Sequence, residues 1–295
     1  MPTLSIVVCT YNRSDYLRTC LSSLELQCLD DAVEVLVIDN NSTDATSSIA
    51  HEFSNRLPNF KYILEEKQGV SHTRNRGFQE ALGAIVAYID DDAKANPDWV
   101  SAITHFFENH PEASGVGGQH NAFSLVPIPP WFPKEYGSRS MGNETRKLRK
   151  NEWLNGTNMA FKKSALVDIG GFDNSIGMTG DKISYGEETQ LVFRMFERGM
   201  QIYYSAEMCV THAILPKKLK LSWLLYSYFA NGYDCVKVFS YKGNAISFLP
   251  SLIKGVGRAL VIFLRCKEQY FKTRIYRSLA PLCSQIGFFV KLLGL

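Results

Sequence analysis

Three consecutive carboxylates, Asp90, Asp91 and Asp92, close the apolar run "AIVAYI". Like charges this close repel, so the triplet calls for a metal ion, a basic side chain or solvent. Hard oxygen ligands suit Mg²⁺ or Mn²⁺, which are typically held by one or two carboxylates together with substrate phosphates. The competing reading is a solvated turn whose acids cap a helix starting near Pro97. His212, in "VTHAILP", reads equally well as a packed or surface histidine. If its strand arrives beside the acids, its imidazole suits Mn²⁺ better than Mg²⁺.

Glu187 and Glu188, in "GEET", open a helix. Acids in a first turn are stabilised by the helix dipole by about 0.3–1 kcal/mol, which is reason enough for their presence. They are also placed to act as a general base. The dipole weakens such a base, unless burial raises its pKa again. Arg74 and Arg76, in "GVSHTRNRG", follow a glycine turn at another helix start. They are either solvent-facing charges or, with the helix N-terminus, a phosphate-binding device. Asp39, in "DNNSTD", either shapes an Asx-turn or accepts hydrogen bonds from a nucleobase or ribose.

The elements that must position these groups are legible. "LSIVVCT" (4–10), "VEVLVID" (33–39), "KYILEE" (61–66) and "AIVAYID" (84–90) read as buried strands. Helices alternate with them: one N-capped by Ser14 with Leu17, Leu21 and Leu24 on its apolar face, one over 44–56, and one from "GVSHTRNRGFQEAL". This pattern means βαβ units and a mostly parallel sheet, whose ligands bind outside the carboxyl ends of the strands. "TYNR", "DNNSTD" and "DDD" all fall at such ends. A helix over 97–109, a glycine-rich strand "SGVGG", a Pro/Gly/basic loop over 121–152 and a last strand "IYYSAEMCVTHA" complete this part.

Charge divides the 295-residue chain. Residues 1–212 carry 19 Lys/Arg against 27 Asp/Glu, a net of −8; residues 213–295 carry 13 against 2, a net of +11. The acidic half argues against a nucleic-acid partner. Seven scattered cysteines (9, 20, 28, 209, 235, 266, 283), with no C-x-x-C pair, fit a reducing compartment. Neither a signal peptide nor an uninterrupted bilayer-length apolar run is expected. The nearest approach, 245–264, is broken by Pro250, Lys254 and Arg258.

The stretches "LSIVVCTYNRSDYLRTCLSSL", "EVLVIDNNSTDAT", "GVSHTRNRGFQEALGAIVAYIDDDAKANPDWV", "NGTNMAFKKSALVDIGGFD" and "GEETQLVFRMFERG" occur in a specific order. Over residues 3–215 they resemble the family 2 glycosyltransferases of bacterial polysaccharide biosynthesis. The resemblance implies a GT-A fold, a Rossmann-like nucleotide-diphospho-sugar transferase domain with a mixed, mostly parallel sheet flanked by helices. It implies an inverting, metal-dependent transfer from a nucleotide-sugar, a UDP-hexose, to a hydroxyl of a growing glycan. By position, Thr10, Tyr11, Arg13, Asp39 and Asn41 would line the nucleoside pocket, with Asp39 on the uracil. Arg74 would lie near the diphosphate, and Asp90 and Asp91 would hold ribose and metal waters. Asp92 and His212 would ligate Mn²⁺ or Mg²⁺. Trp153, Asn155, Gly156 and Asn158 would face donor sugar and acceptor. Many relatives carry Glu-Asp where this chain has Glu187-Glu188; register points to Glu188 as the base, with Glu187 as the alternative.

The organisation expected is a catalytic domain over 1–215 and a helical C-terminal region over 216–295. The latter interleaves Leu, Ile and Phe with Lys254, Arg258, Arg265, Lys267, Lys272, Arg274, Arg277 and Lys291. A basic amphipathic segment suggests an anionic membrane surface, and with it a cytoplasmic, peripheral position on the inner face of the cell membrane near lipid-linked acceptors. The alternative for this region is a helical cap that packs on the core or forms a homodimer. Rival functions are a sugar nucleotidyltransferase, which needs a glycine-rich loop where "TYNRSDY" stands, and a non-catalytic nucleotide-sugar-binding scaffold.

Overall fold

A computed structural model describes residues 3–27, 30–57, 59–180 and 182–295; Cys28 lies outside these. The chain begins β1 (Leu4–Thr10), α1 (Ser14–Glu25), β2 (Val33–Asp39), α2 (Thr46–Phe53), β3 (Phe60–Leu64), α3 (Val70–Glu80) and β4 (Ile85–Asp90). β3, β2, β1 and β4 are parallel neighbours in that order, as the alternating pattern predicts. β1 and β2 are buried on both faces, which is why they read as continuous apolar runs. α1 turns Leu17, Cys20, Leu21 and Leu24 inward at helical spacing. Ser14 is not its cap. Helix geometry begins at Ser14 itself, and its N–H is accepted at 3.0 Å by Asp44 from the loop after β2.

The second part adds β5 (Ala93–Ala95), α4 (Trp99–Asn109), β6 (Gly115–Phe123), β7 (Arg146–Lys147), β8 (Asn158–Lys162), α5 (Lys163–Ile169), α6 (Glu187–Glu197) and β9 (Ile202–Ala213). One sheet runs β3-β2-β1-β4-β8-β6-β9-β5, with β7 on β9. β8 enters antiparallel between β4 and β6, whereas β6 and β9 are parallel. Two apolar layers cover the faces. Ile6, Val8 and Val35 pack with α1, α2 and α4, and Val7, Leu36 and Ile38 pack with α3, α5 and α6.

The chain forms two compact units. One, made of Met1–Phe123, Gly137–Ser175 and Glu187–Ala213, contains the whole sheet. The other takes Ser124–Tyr136, Ile176–Gly186 and Ile214–Leu295. It is built on α7 (Leu221–Val238), α8 (Ala245–Arg265) and α9 (Phe271–Leu292), the expected C-terminal helices. α7 and α9 meet at glycines: a Cβ on Gly232 would lie 1.8 Å from the Ser284 carbonyl oxygen. The two shorter segments are fastened into this unit. Thr273 donates to the Trp131 carbonyl, Arg277 pairs with Glu135 at 3.2 Å, and Tyr185 N–H donates to Asp234 at 2.8 Å. Among the described residues, one helix, α8, is long and apolar enough to cross a membrane, and only 11% of its most apolar stretch is buried. The six described cysteines are free thiols.

Candidate active site

β4 delivers the acid triplet to the sheet edge. The turn after it runs into β5, which pairs with β9 so that Ala93 stands opposite His212. The ligand atoms of Asp90, Asp92 and His212 therefore come within 4.8 Å of one another, with His212 Nε2 3.1 Å from Asp92 Oδ1. Asp91 turns away. It is buried, and its Oδ1 lies 2.8 Å from Arg13 Nη1, which also reaches Asp92 at 3.3 Å. Burial pushes the Asp91 carboxyl up to about 6, against the pull of Arg13. The chemical unit is thus alternate acids, with Asp90 in the cluster and Asp91 holding a guanidinium. Two carboxylates and one imidazole at this separation fit Mn²⁺ or Mg²⁺. Arg13 is engaged with the acids themselves.

Arg74 links this cluster to α6. Its side chain is 4% exposed, with Nη1 2.5 Å from Glu187 Oε1 and Nη2 3.2 Å from Asp90 Oδ1. The guanidinium is thus held between two carboxylates, in place of a free phosphate-binding fork. Arg76 forms a surface pair with Glu80 at 2.9 Å. The next acid, Glu188, has its carboxyl pushed well above the ordinary range, first by burial and then by the charge of Glu187. Adjacent residues are so split into an ion-paired acid and a carboxyl with raised proton affinity.

At the β2 end, Asp39 is buried and accepts from Tyr62 Oη at 2.6 Å and Ser42 N–H at 3.0 Å. Thr10 is buried at the tip of β1, next to half-exposed Tyr11. Asn41 is exposed and left-handed, at φ 65°. The organiser here is Asn40, which the sequence did not single out. Its amide donates to the carbonyls of Glu65 (3.1 Å) and Lys67 (2.7 Å) and accepts Gly69 N–H (2.7 Å). That fixes the turn leading into α3 and hence Arg74.

The "NGTN" stretch divides. Trp153 is 47% exposed, and Arg139 lies 4.4 Å over its ring. Asn155 accepts the N–H of Thr157 at 3.1 Å. Gly156 presses on Arg74: a Cβ there would come 2.3 Å from Nη2. Asn158, expected at the sugar, is fully buried. Its Nδ2 donates to Gln119 and Met208 carbonyls, each at 2.9 Å, and its Oδ1 accepts from Trp99 Nε1 at 2.8 Å. The β6–β9 register breaks at this point, leaving residues 206–208 of β9 unpaired with β6. Asn158 satisfies carbonyls on both sides of the break, which commits it to the fold.

The family model described as "Glycosyl transferase family 2" matches residues 5–170. A glucosyl-dolichyl phosphate glucuronosyltransferase from Haloferax volcanii is 28% identical over 240 residues, covering 78% of this chain and 75% of that protein. Among solved structures, the mannosyltransferase PcManGT from Pyrobaculum calidifontis, in complex with GDP-Man and Mn²⁺, superposes with TM-score 0.64. It is 17% identical, over 99% of this chain and 87% of that one. S. aureus TarS 1-349 with UDP-GlcNAc gives 0.58 at 17% identity, over 97% and 91%. The chain spans 39% of the longer TarS chain. These neighbours establish the GT-A fold anticipated above.

Proposed function

The chain belongs to glycosyl transferase family 2, and from that premise we propose that it transfers a sugar from a nucleotide-sugar, a UDP-hexose, to a hydroxyl of a lipid-linked, growing cell-surface glycan. The observation that carries this reading is the convergence of Asp90, Asp92 and His212 on one side of Arg74 with Glu187 on the other, beside the raised carboxyl of Glu188. The names of similar proteins support it: one acts on a glucosyl-dolichyl phosphate, and the structural neighbours hold GDP-Man with Mn²⁺ or UDP-GlcNAc.

In this reading Asp39 and Thr10 receive the nucleoside, and Asp90, Asp92 and His212 hold a divalent ion. When bound, that ion supplies positive charge for the departing diphosphate. Glu188 Oε takes the proton of the acceptor hydroxyl as its oxygen bonds the anomeric carbon, opposite the breaking bond to UDP, so configuration inverts. Glu187, fixed by Arg74, is the neighbour that, after burial, raises the proton affinity of Glu188. Arg13 neutralises the triplet from the protein side and so limits its repulsion in the absence of substrate.

We place the enzyme on the cytoplasmic face of a membrane, attached through α8. Its Ile246, Leu249, Ile253, Val256, Leu260 and Leu264 recur every three or four residues and are all exposed. Lys254 and Arg258 are exposed on the same helix. Such a helix favours an anionic bilayer surface.

The deciding experiment is a thermal-shift panel of nucleotide-sugars with Mn²⁺, followed by UDP-release and transfer assays. A bound donor stabilises by RT ln(1 + [L]/Kd), so the true one stands out. Binding without any release of UDP would make the chain a scaffold, and no stabilisation by any nucleotide-sugar would remove the reading altogether.

A further inference from the structure

Arg139 is a cation with no ion pair to a carboxylate among the described residues. Among the described residues no Asp or Glu oxygen lies within 4.0 Å of it, and its side chain donates from Nη2, to the Trp153 carbonyl at 2.9 Å and more weakly to Met141 Sδ at 3.8 Å. Its guanidinium stacks on the half-exposed indole of Trp153, 4.4 Å from the ring centroid. Burial lowers its pKa, against the opposing charges of Glu188 and Glu152. Among the described residues nothing engages Nε or Nη1 of this partly desolvated guanidinium, and its planar fork matches carboxylate or phosphate oxygens.

The backbone of Arg139 is fixed at the site. It bridges His120 in both directions, at 3.0 and 2.8 Å, and the His120 ring lies 5.9 Å from that of His212. Strand order gives the side. Asp39 and Thr10 lie on β2 and β1, Asp90 lies on β4, and β8 separates β4 from β6, which carries His120. Arg139 thus stands on the side of Asp90 away from the nucleoside end, bridged to the strand next to the one that carries His212.

Resting on the transferase reading, we propose that Arg139 and Trp153 form the acceptor subsite, the indole carrying the acceptor's sugar ring while the guanidinium grips an anionic oxygen group, phosphate or carboxylate, attached to it. The acceptor is then an anionic glycoside, and Arg139 is a specificity determinant with no part in proton transfer.

The test uses the full chain with Mn²⁺ and the nucleotide-sugar that gives the fastest UDP release. Three acceptors are compared: octyl glucoside, octyl glucosiduronate and a glucosyl octyl phosphodiester. The wild type is expected to favour one anionic acceptor over the neutral one by roughly 10- to 100-fold in kcat/KM, the size of a charge-assisted hydrogen bond. Which anionic acceptor it favours identifies the group. Arg139→Gln should remove that preference, mainly through KM, and Arg139→Lys should restore part of it. Equal loss on all three acceptors, or no preference in the wild type, overturns the proposal. A matching loss of UDP affinity by calorimetry would move the anion to the donor and overturn it too. If the wild type turns over no donor at all, the transferase reading fails and this inference falls with it; failure confined to the acceptor comparison leaves that reading standing.

Discussion

Arg74 Nη1 lies 2.5 Å from Glu187 Oε1, a contact between residues 113 apart in sequence. The other end of the same guanidinium touches Asp90 at 3.2 Å. One buried cation therefore ties the metal-capable cluster to the helix that carries Glu188. Arg74→Met should strand two carboxylates and destabilise the fold by about 3–5 kcal/mol, as removal of one partner of a buried pair does. Thermal unfolding would read this as a clear drop in Tm. An unchanged Tm would mean that the pair is not formed in solution.

Glu188→Gln should lower kcat by about 10²–10⁴-fold, the span of general-base contributions, while UDP-sugar affinity is kept. The pH profile gives a second check. The proton acceptor must be ionised, and burial with Glu187 holds the folded-state pKa of Glu188 above its ordinary 4.5. Activity should therefore fall as pH drops through that raised value, and the acidic limb should sit above the range of a free glutamate. A limb at or below that range would point to a different base.

Chelation by EDTA should abolish transfer, and Mn²⁺ should restore it. Asp92→Asn should weaken Mn²⁺ binding by roughly tenfold or more, since a direct ligand matters at least as much as its supporting shell. His212→Gln should shift preference from Mn²⁺ toward Mg²⁺ by removing the one nitrogen donor. Asp91→Asn should act differently, through loss of its contact with Arg13. If Asp91→Asn impairs Mn²⁺ binding as much as Asp92→Asn does, the alternate-acid assignment is wrong.

Gly156→Ala places a methyl carbon 2.3 Å from Arg74 Nη2. The arginine is held at both ends, so it must move away from Asp90, from Glu187 or from both. Misplacement of this order costs roughly 10- to 100-fold in kcat. Steady-state kinetics with UDP binding measured in parallel would separate this from donor loss.

Leu260→Glu and Ile253→Glu, on the exposed face of α8, should shift the 295-residue chain from phosphatidylglycerol vesicles to the supernatant in co-sedimentation. Retention on vesicles by both would remove α8 as the contact. A change of oligomeric state in place of release would assign this face to a second copy.

Much of this was legible in sequence because it is local. A β-branched run ending in Asp90–Asp92 states both its strand and its edge, and alternation with helices states a parallel sheet. Less legible was what depends on distant partners. Nothing near Arg74 announces Glu187, and nothing in "DNNSTD" tells that Asn40, rather than Asn41, fastens the next loop. Asn158 looked like a sugar ligand because an exposed and a buried amide read alike; the break in β6–β9 pairing that it fills is invisible in one strand's sequence. Arg139 sits in a loop without periodicity, so only its bridge to His120 reveals its place.

The interleaving of the two compact units carries a practical consequence for truncation. Segments Ser124–Tyr136 and Ile176–Gly186 leave and re-enter the sheet-bearing unit, and their fastenings are to α7 and α9: Trp131 to Thr273, Glu135 to Arg277, Tyr185 to Asp234. A chain cut after residue 215 would keep every strand of the sheet yet leave those two segments, including the aromatic Trp131, Phe132 and Tyr136, without the surface that orders them. Such a fragment should be prone to proteolysis and aggregation at these two places, so genetic dissection of the tail is better done by surface point substitutions than by deletion.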